Sequence, residues 1–232
     1  MKYLYGIQPT GRIHVGNYLG GLKYAIQKKA EILVANYHAM TTSGYHEEFD
    51  EELERLTKFT YQRKDAHILS WEIQCLTPFS ELKKMTQFKD KGEGNVGLFT
   101  YPCLMAADIL LSGADVVIVG EDQLQHMEFY RRTCRRLGIK HIARAHITDT
   151  PRIMSIKDPT KKMSKSLGDE HCLYLFDDNE KKIMKAPTTP EGIRNLKQIA
   201  KGFRIKYDES DNKKSKQKLI KVINKVKLCT ST

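Results

Sequence analysis

The sequence predicts an α/β fold, a doubly wound parallel sheet covered by helices, followed by a small basic helical extension. Three observations carry this expectation. Short β-rich runs alternate with longer helical patterns, the order that βαβ units produce. Val116–Val119 is an uninterrupted β-branched run, as a strand buried on both faces requires. The 232 residues, 40% of them hydrophobic and 9% aromatic, suffice to bury the core of one large domain.

Taken in order, Lys2–Ile7 is the first strand, and a helix follows from about His14 to Lys29 with Gly20-Gly21 permitting close packing. Glu31–Asn36 is a second buried strand. A helix is predicted from Glu47 to Arg63, acidic at its start as the helix dipole favours. Two more cover His67–Leu76 and Pro78–Phe88, and Lys89–Gly97 is a polar loop. Tyr101–Leu111 is an apolar helix closed by Ser112-Gly113, and Asp122–Leu137 is a long helix stopped by Gly138. His141–Thr148 is extended. Beyond a Lys-rich loop, Cys172–Phe176 is a further strand, Asp178–Lys185 and Thr189–Ala200 are short helices, and Tyr207–Lys216 is a polar linker. Leu219, Val222, Ile223 and Val226 then fall at i, i+3, i+4 and i+7, the stripe of an amphipathic helix. Trp71 and the other aromatics show no stacking pattern and are assigned to the core.

Composition narrows the function classes. The five cysteines are scattered without a C-x-x-C pair and read as reduced packing residues, and the histidines show no H-E-x-x-H spacing, so no metal site is expected. No apolar run approaches the ~18 residues of a membrane span, and no cationic stretch leading into an apolar one opens the chain. A cytoplasmic protein without membrane association is expected. The net charge of +11 is uneven: from Lys201 onward ten Lys/Arg oppose three Asp/Glu. That tail suits a polyanion, with RNA the leading candidate, or is simply a solvated Lys-rich helix.

Two motifs point to nucleotide chemistry. In the run Pro9-Thr10-Gly11-Arg12-Ile13-His14-Val15-Gly16-Asn17, a turn hands a strand over to a helix start. Unbonded N–H groups and the dipole there favour an anion. Thr10, His14 and Asn17 add side-chain donors, and Gly16 lets a nucleotide lie against backbone. Lys161-Lys162-Met163-Ser164-Lys165-Ser166 supplies ammonium groups for the same phosphates, with Met163 as an apolar peg that docks the loop. Gly120-Glu121-Asp122-Gln123 sits where the strand Val116–Val119 passes into a helix, the end at which doubly wound sheets bind nucleotides. Gly120 permits close approach and Asp122 offers an acceptor for ribose hydroxyls. Tyr101, Met105 and Asp108 share one helix face, and an acid inside Leu104–Leu111 needs a partner to be buried.

These ordered motifs resemble those of bacterial-type tryptophanyl-tRNA synthetases, which are class I aminoacyl-tRNA synthetases, over about residues 3 to 200. The first motif is similar to the family's HIGH signature with Asn17 last, the second to KMSKS. Tyr101-Pro102 with Leu104-Met105-Ala106-Ala107-Asp108-Ile109-Leu110-Leu111 is the stretch most specific to the tryptophan enzymes. The resemblance implies a Rossmann-like catalytic domain over 1–176, including the KMSKS loop, and an abbreviated helical Lys-rich region over 177–232. It implies ATP-dependent activation of L-tryptophan and transfer to tRNA, by a homodimer using Mg2+ carried on ATP.

By the same resemblance Thr10, His14, Asn17, Lys91, Lys162, Ser164 and Lys165 are catalytic. Gln8, Pro9, Gly16, Gly120, Glu121, Asp122, Gln123, Ile153, Met163 and Ser166 join them in holding ATP. Asp108 accepts the indole N–H, with Met105 and Tyr101 lining the pocket. His38 belongs to that pocket or is an ordinary core histidine. Two departures stand out. The chain is short between Tyr61 and Trp71, where a strand is expected to be missing, and only 66 residues follow Ser166. A tyrosine-specific relative, another adenylyl- or cytidylyltransferase and a non-aminoacylating RNA-binding or regulatory paralogue are the alternatives.

Overall fold

The computed structural model describes residues 1–41, 44, 46, 48–85, 94–149 and 152–229, with side chains through Val226. Contacts divide the chain into two units. The first comprises Met1–Gly11, Ala25–Asp50 and Lys58–Ile147; the second comprises Arg12–Tyr24, Glu51–Thr57 and Thr148–Thr232.

The first unit is built on β1 (Tyr3–Ile7), which buries Leu4 and Ile7. It pairs in parallel with β2 (Glu31–Val34), Leu4 opposite Glu31 and Ile7 opposite Val34. On its other side it pairs with β4 (Val116–Ile118), Tyr3 opposite Val116. With β3 (Thr60–Tyr61) and β5 (Arg144–His146) at the edges, the parallel order is β3-β2-β1-β4-β5. This is the doubly wound sheet expected from the sequence. All three residues of β4 are buried, as its unbroken β-branched run requires. The core against the sheet includes Ala106, Ala107, Val117, Met127 and Phe129.

Several elements differ from expectation for local reasons. The helix predicted over Glu47–Arg63 is confined to Glu48–Glu54, and the chain then enters β3. The sheet therefore keeps a third strand, two residues long, just before the segment where one was expected to be missing. The apolar helix is longer than Tyr101–Leu111, running from Val96 to Ser112, because the Asn95 side chain accepts the Leu98 N–H at 2.8 Å and caps it. Trp71 is not core: it is 66% exposed on the helix Asp65–Leu76. Cys103, Cys134 and Cys172 are buried packing residues, whereas Cys75 is exposed.

In the second unit the helix opens as Val15–Asn17, widens into a π-turn over Tyr18–Leu22 and resumes at Lys23. A π-turn disturbs the i→i−4 ladder, and the Gly20 carbonyl accepts the Thr148 hydroxyl at 2.9 Å. Cys172–Phe176 is not a strand of the sheet. It is a largely buried segment that bridges antiparallel to the residues before the helix and then turns at Leu175 and Phe176, with Leu175 N–H to Ile13 O at 2.8 Å and Val15 N–H to Leu173 O at 2.7 Å. The predicted linker Tyr207–Lys216 is also shorter, because the last helix begins at Asn212 and buries Ser215 and Lys216 with Leu219 and Ile223. Lys216 is only 5% exposed and donates to the carbonyls of Met184 and Ala186 at 3.1 and 2.8 Å. Its ammonium is thereby satisfied where the helix Glu180–Met184 ends.

Candidate active site

The second unit brings Arg12–Asn17 of the first motif together with the Lys-rich motif. His14 caps the helix: its Nδ1 accepts the Asn17 N–H at 3.2 Å while Asn17 Oδ1 accepts the His14 N–H at 3.2 Å. Glu52 supports this turn from below by accepting the Ile13 N–H at 2.6 Å and the Arg12 Nε–H at 2.9 Å. Arg12 also grips Asp177 through both terminal nitrogens, at 2.9 and 2.5 Å, the bidentate geometry its guanidinium favours. Burial, then the positive fields of Lys165 and Lys162, push the His14 imidazole down to about 3. The ring is therefore neutral near pH 7, and because Nδ1 is an acceptor its proton lies on Nε2. Asn17 likewise keeps its Nδ2 hydrogens as donors.

The Lys-rich loop is held at its base. The Met163 N–H bonds Ile153 O at 3.0 Å and the Ser155 N–H bonds Lys161 O at 2.8 Å. Asn195 braces the same base, accepting from Met154 N–H at 3.0 Å and donating to Met154 O at 2.9 Å and Ser155 O at 3.1 Å. Met163 is buried as the expected peg, and its Cβ would lie 3.6 Å from a Cβ built on Gly16. That same Cβ would come within 2.9 Å of the His14 ring, so a side chain at 16 would displace the capping imidazole. Burial lowers the Lys165 ammonium to about 8 against the pull of Cys172 and Glu52. Lys162 and Ser166 are exposed, Ser164 and Ser166 share a hydroxyl contact at 2.9 Å, and Ile153 is buried.

The first unit assembles the other predicted residues at the carboxyl ends of its strands. Gln8, Pro9 and Thr10 follow β1, and Gly120–Gln123 follow the adjacent β4, the point at which the strand order reverses. A Cβ on Gly120 would approach Asp122 Oδ1 to 2.5 Å, so a side chain there would make the Asp122 carboxylate move. Gln123 Nε2 donates to Asp122 Oδ2 at 2.9 Å. Glu121 and Asp122 are exposed and Gln8 is exposed, whereas Thr10 is half-buried.

Asp108, 8% exposed, receives two side-chain donors on one oxygen. His38 Nε2 lies 3.1 Å and Gln62 Nε2 2.6 Å from its Oδ2. The Tyr101 ring meets His38 edge-on at 5.7 Å, and its hydroxyl lies 2.5 Å from His126 Nε2. Burial lowers His126 to about 4 and raises Tyr101, while Asp122 exerts its field on both. Met105 is half-buried on the same helix. His38 is thus a buried histidine whose ring is satisfied by Asp108. Lys91 lies outside the described residues.

The sequence alone did not reveal Gln62, His126, Glu52, Asp177 or Asn195. Gln62 was hidden inside a predicted helix.

Comparison with known proteins agrees with this chemistry. Residues 58–230 match the family described as tRNA synthetases class I (W and Y). A tryptophan–tRNA ligase of Caldanaerobacter subterraneus subsp. tengcongensis is 37% identical, over 90% of this chain and 77% of the relative. Among solved structures, a tryptophanyl-tRNA synthetase from Mycoplasma pneumoniae superposes with a TM-score of 0.83 at 29% identity, covering 99% of this chain and 86% of that one. A Campylobacter jejuni tryptophanyl-tRNA synthetase complexed with ADP and tryptophan gives 0.75 at 27% identity, covering 99% and 88%.

Proposed function

Since the chain belongs to the class I tRNA synthetases of the tryptophan and tyrosine type, and among them to the tryptophan–tRNA ligases, we propose that it activates L-tryptophan with ATP and charges tRNA. One observation supports this above the rest: Met163 of the Lys-rich loop is seated against Gly16 while Lys162 and Lys165 project their charge onto His14. Donors and ammonium groups so arranged suit a polyphosphate.

A tryptophan carboxylate oxygen attacks the α-phosphorus of ATP. The bond from that phosphorus to the bridging oxygen breaks, and pyrophosphate leaves with the electron pair. A hydroxyl of the tRNA terminal ribose then attacks the adenylate carbonyl and releases AMP. Catalysis consists of positioning and charge stabilisation. In this reading the Nε2–H of His14, the Asn17 amide and the Thr10 hydroxyl donate to phosphates. Gln8, Pro9 and Gly16 lie along the nucleotide. Lys162, Met163, Ser164, Lys165 and Ser166, with Lys91, serve the leaving pyrophosphate. Ile153 meets adenine, and Gly120, Glu121, Asp122 and Gln123 serve the ribose side. Asp108 accepts the indole N–H, with His38, Tyr101 and Met105 around it. A buried acceptor of this kind rejects phenylalanine, which would leave it unpaired.

Mg2+ neutralises phosphate charge when bound. Around His14 the groups are donors and cations, so this reading has the ion arrive on ATP. Ile68, Trp71 and Phe79, large apolar side chains left exposed on the first unit, support the expected homodimer. Residues 177–232 are assigned to tRNA contact on the strength of the exposed Lys213, Lys214, Lys218, Lys221 and Lys225. Among the described residues no helix is long and apolar enough to cross a membrane, and we assign the reaction to the cytoplasm. Amino-acid-dependent ATP–pyrophosphate exchange across the twenty amino acids should respond to tryptophan alone. Absence of that response, with tRNA still retained on a filter, would favour a non-aminoacylating RNA-binding protein.

A further inference from the structure

We infer that Gln62 is a positioning residue for amino-acid selection, holding the Asp108 carboxylate and the helix that carries His38 in one fixed arrangement. The inference rests on the reading that Asp108 accepts an indole N–H. Gln62 is 5% exposed and leaves β3 at its carboxyl end, where its own N–H reaches Val34 O at 3.3 Å. Its amide is used at both ends. Oε1 accepts the Tyr37 N–H at 2.8 Å, and Nε2 donates to Asp108 Oδ2 at 2.6 Å. Tyr37 lies in the first turn of the short helix Asn36–Ala39, whose next residue, His38, donates to that same Oδ2. Because one end must accept and the other must donate, the amide has a single allowed orientation.

Two donors on Oδ2 leave Oδ1 as the oxygen that accepts from a ligand. A carboxylate free to rotate would present either oxygen; one pinned by Gln62 presents one. The cost of ordering that acceptor is met on folding and not on binding. A two-residue β3 suffices for this task, because what the strand must deliver is the side chain at its end.

The test uses the full chain with Gln62→Met, which keeps the volume and removes both bonds, and Gln62→Glu, which keeps an acceptor for Tyr37 but sets a carboxyl group against Asp108. Kd is measured calorimetrically for tryptophan and for 3-(benzothiophen-3-yl)alanine, in which sulfur replaces the indole N–H. In both variants tryptophan binding should weaken roughly 10- to 100-fold, the scale of a charge-assisted hydrogen bond. The analogue makes no such bond, so its Kd should stay within about threefold. The KM for ATP should not move. Equal losses for tryptophan and analogue would mean a merely structural role and overturn the inference, as would an unchanged tryptophan Kd or failure of both variants to fold. Failure of the parent protein itself to prefer tryptophan over the analogue would instead overturn the role of Asp108.

Discussion

His14 and Asn17 cap each other, the ring Nδ1 of one taking the backbone N–H of the other while the amide oxygen returns the bond, both at 3.2 Å. The exchange uses the acceptor atoms of both side chains and leaves their donors, Nε2–H and Nδ2–H2, outside the cap, where the proposed reading has them meet phosphate. Structure and chemistry are thus separable at this pair. Asn17→Asp keeps the capping oxygen, so unfolding free energy should change by less than about 0.5 kcal/mol. It replaces a donor by a negative charge, and pyrophosphate exchange should fall at least about tenfold. Denaturation and exchange assays on one preparation decide; a large loss of stability would show that the amide hydrogens serve the fold.

The buried imidazole makes stability depend on pH in a defined direction. The His14 pKa is about 3 in the folded protein against an ordinary 6.5, so between those values the unfolded chain binds a proton that the folded chain does not. Its stabilisation is complete above pH 6.5 and is lost as pH falls through that window, by up to about 1.4 kcal/mol per unit. His126, lowered to about 4, acts with the same sign. Urea unfolding of the parent should therefore steepen in its pH dependence below 6.5, and His14→Gln should remove part of that slope. Parallel profiles for the two proteins would contradict the assignment.

Lys165, at about 8, is poised to lose its charge just above neutrality. In the free enzyme kcat/KM for ATP should decline above about pH 8, as the ammonium proposed to meet pyrophosphate is lost. Lys165→Arg, charged throughout, should shift that decline upward whatever its cost in rate. A pH profile unaltered by the substitution would remove Lys165 from the reaction.

Asp108→Ala should lose tryptophan activation by roughly 2–4 kcal/mol in kcat/KM while ATP affinity is nearly unchanged, because it deletes a charge-assisted acceptor. It also strands Gln62 and His38, so a thermal melt must accompany the kinetics. An unchanged kcat/KM for tryptophan rules out the role.

Charge reversal of Lys213, Lys214, Lys218 and Lys221 tests the basic helix. Lys216 must be left intact, since it is buried and bound to two carbonyls. Adenylate formation should persist while aminoacylation falls and the salt dependence of tRNA binding flattens, by about one unit of log–log slope per lost phosphate contact. Charging at the parental rate would reduce this helix to a solvated face.

What the sequence disclosed follows its periodicities. Val116–Ile118 is an interior strand because a β-branched run buried on both faces suits that place. Tyr101, Met105 and Asp108 share a face because a helix repeats every 3.6 residues. The mutual cap of His14 and Asn17 and the docking of Met163 beside Gly16 lie within the two motifs that the sequence singled out. Gln62 was not, because a two-residue strand gives no alternation to detect, and the acidic run before it resembles a longer helix. The burial of Lys216 leaves no trace in the sequence, because the carbonyls that satisfy it belong to a different helix and its connecting segment. Trp71 was assigned to the core on hydrophobicity, which states a preference and not an address.

The exposure of Trp71 has a spectroscopic consequence. It is the sole tryptophan of the chain and lies on the outside of the first unit. Its emission should be red-shifted and open to quenching by iodide. Free tryptophan entering a buried pocket would emit to the blue of it, so ligand and protein can be told apart in one spectrum. Should two copies associate through the face that bears it, the indole would leave water as concentration rises. Its colour would then report assembly, without any label.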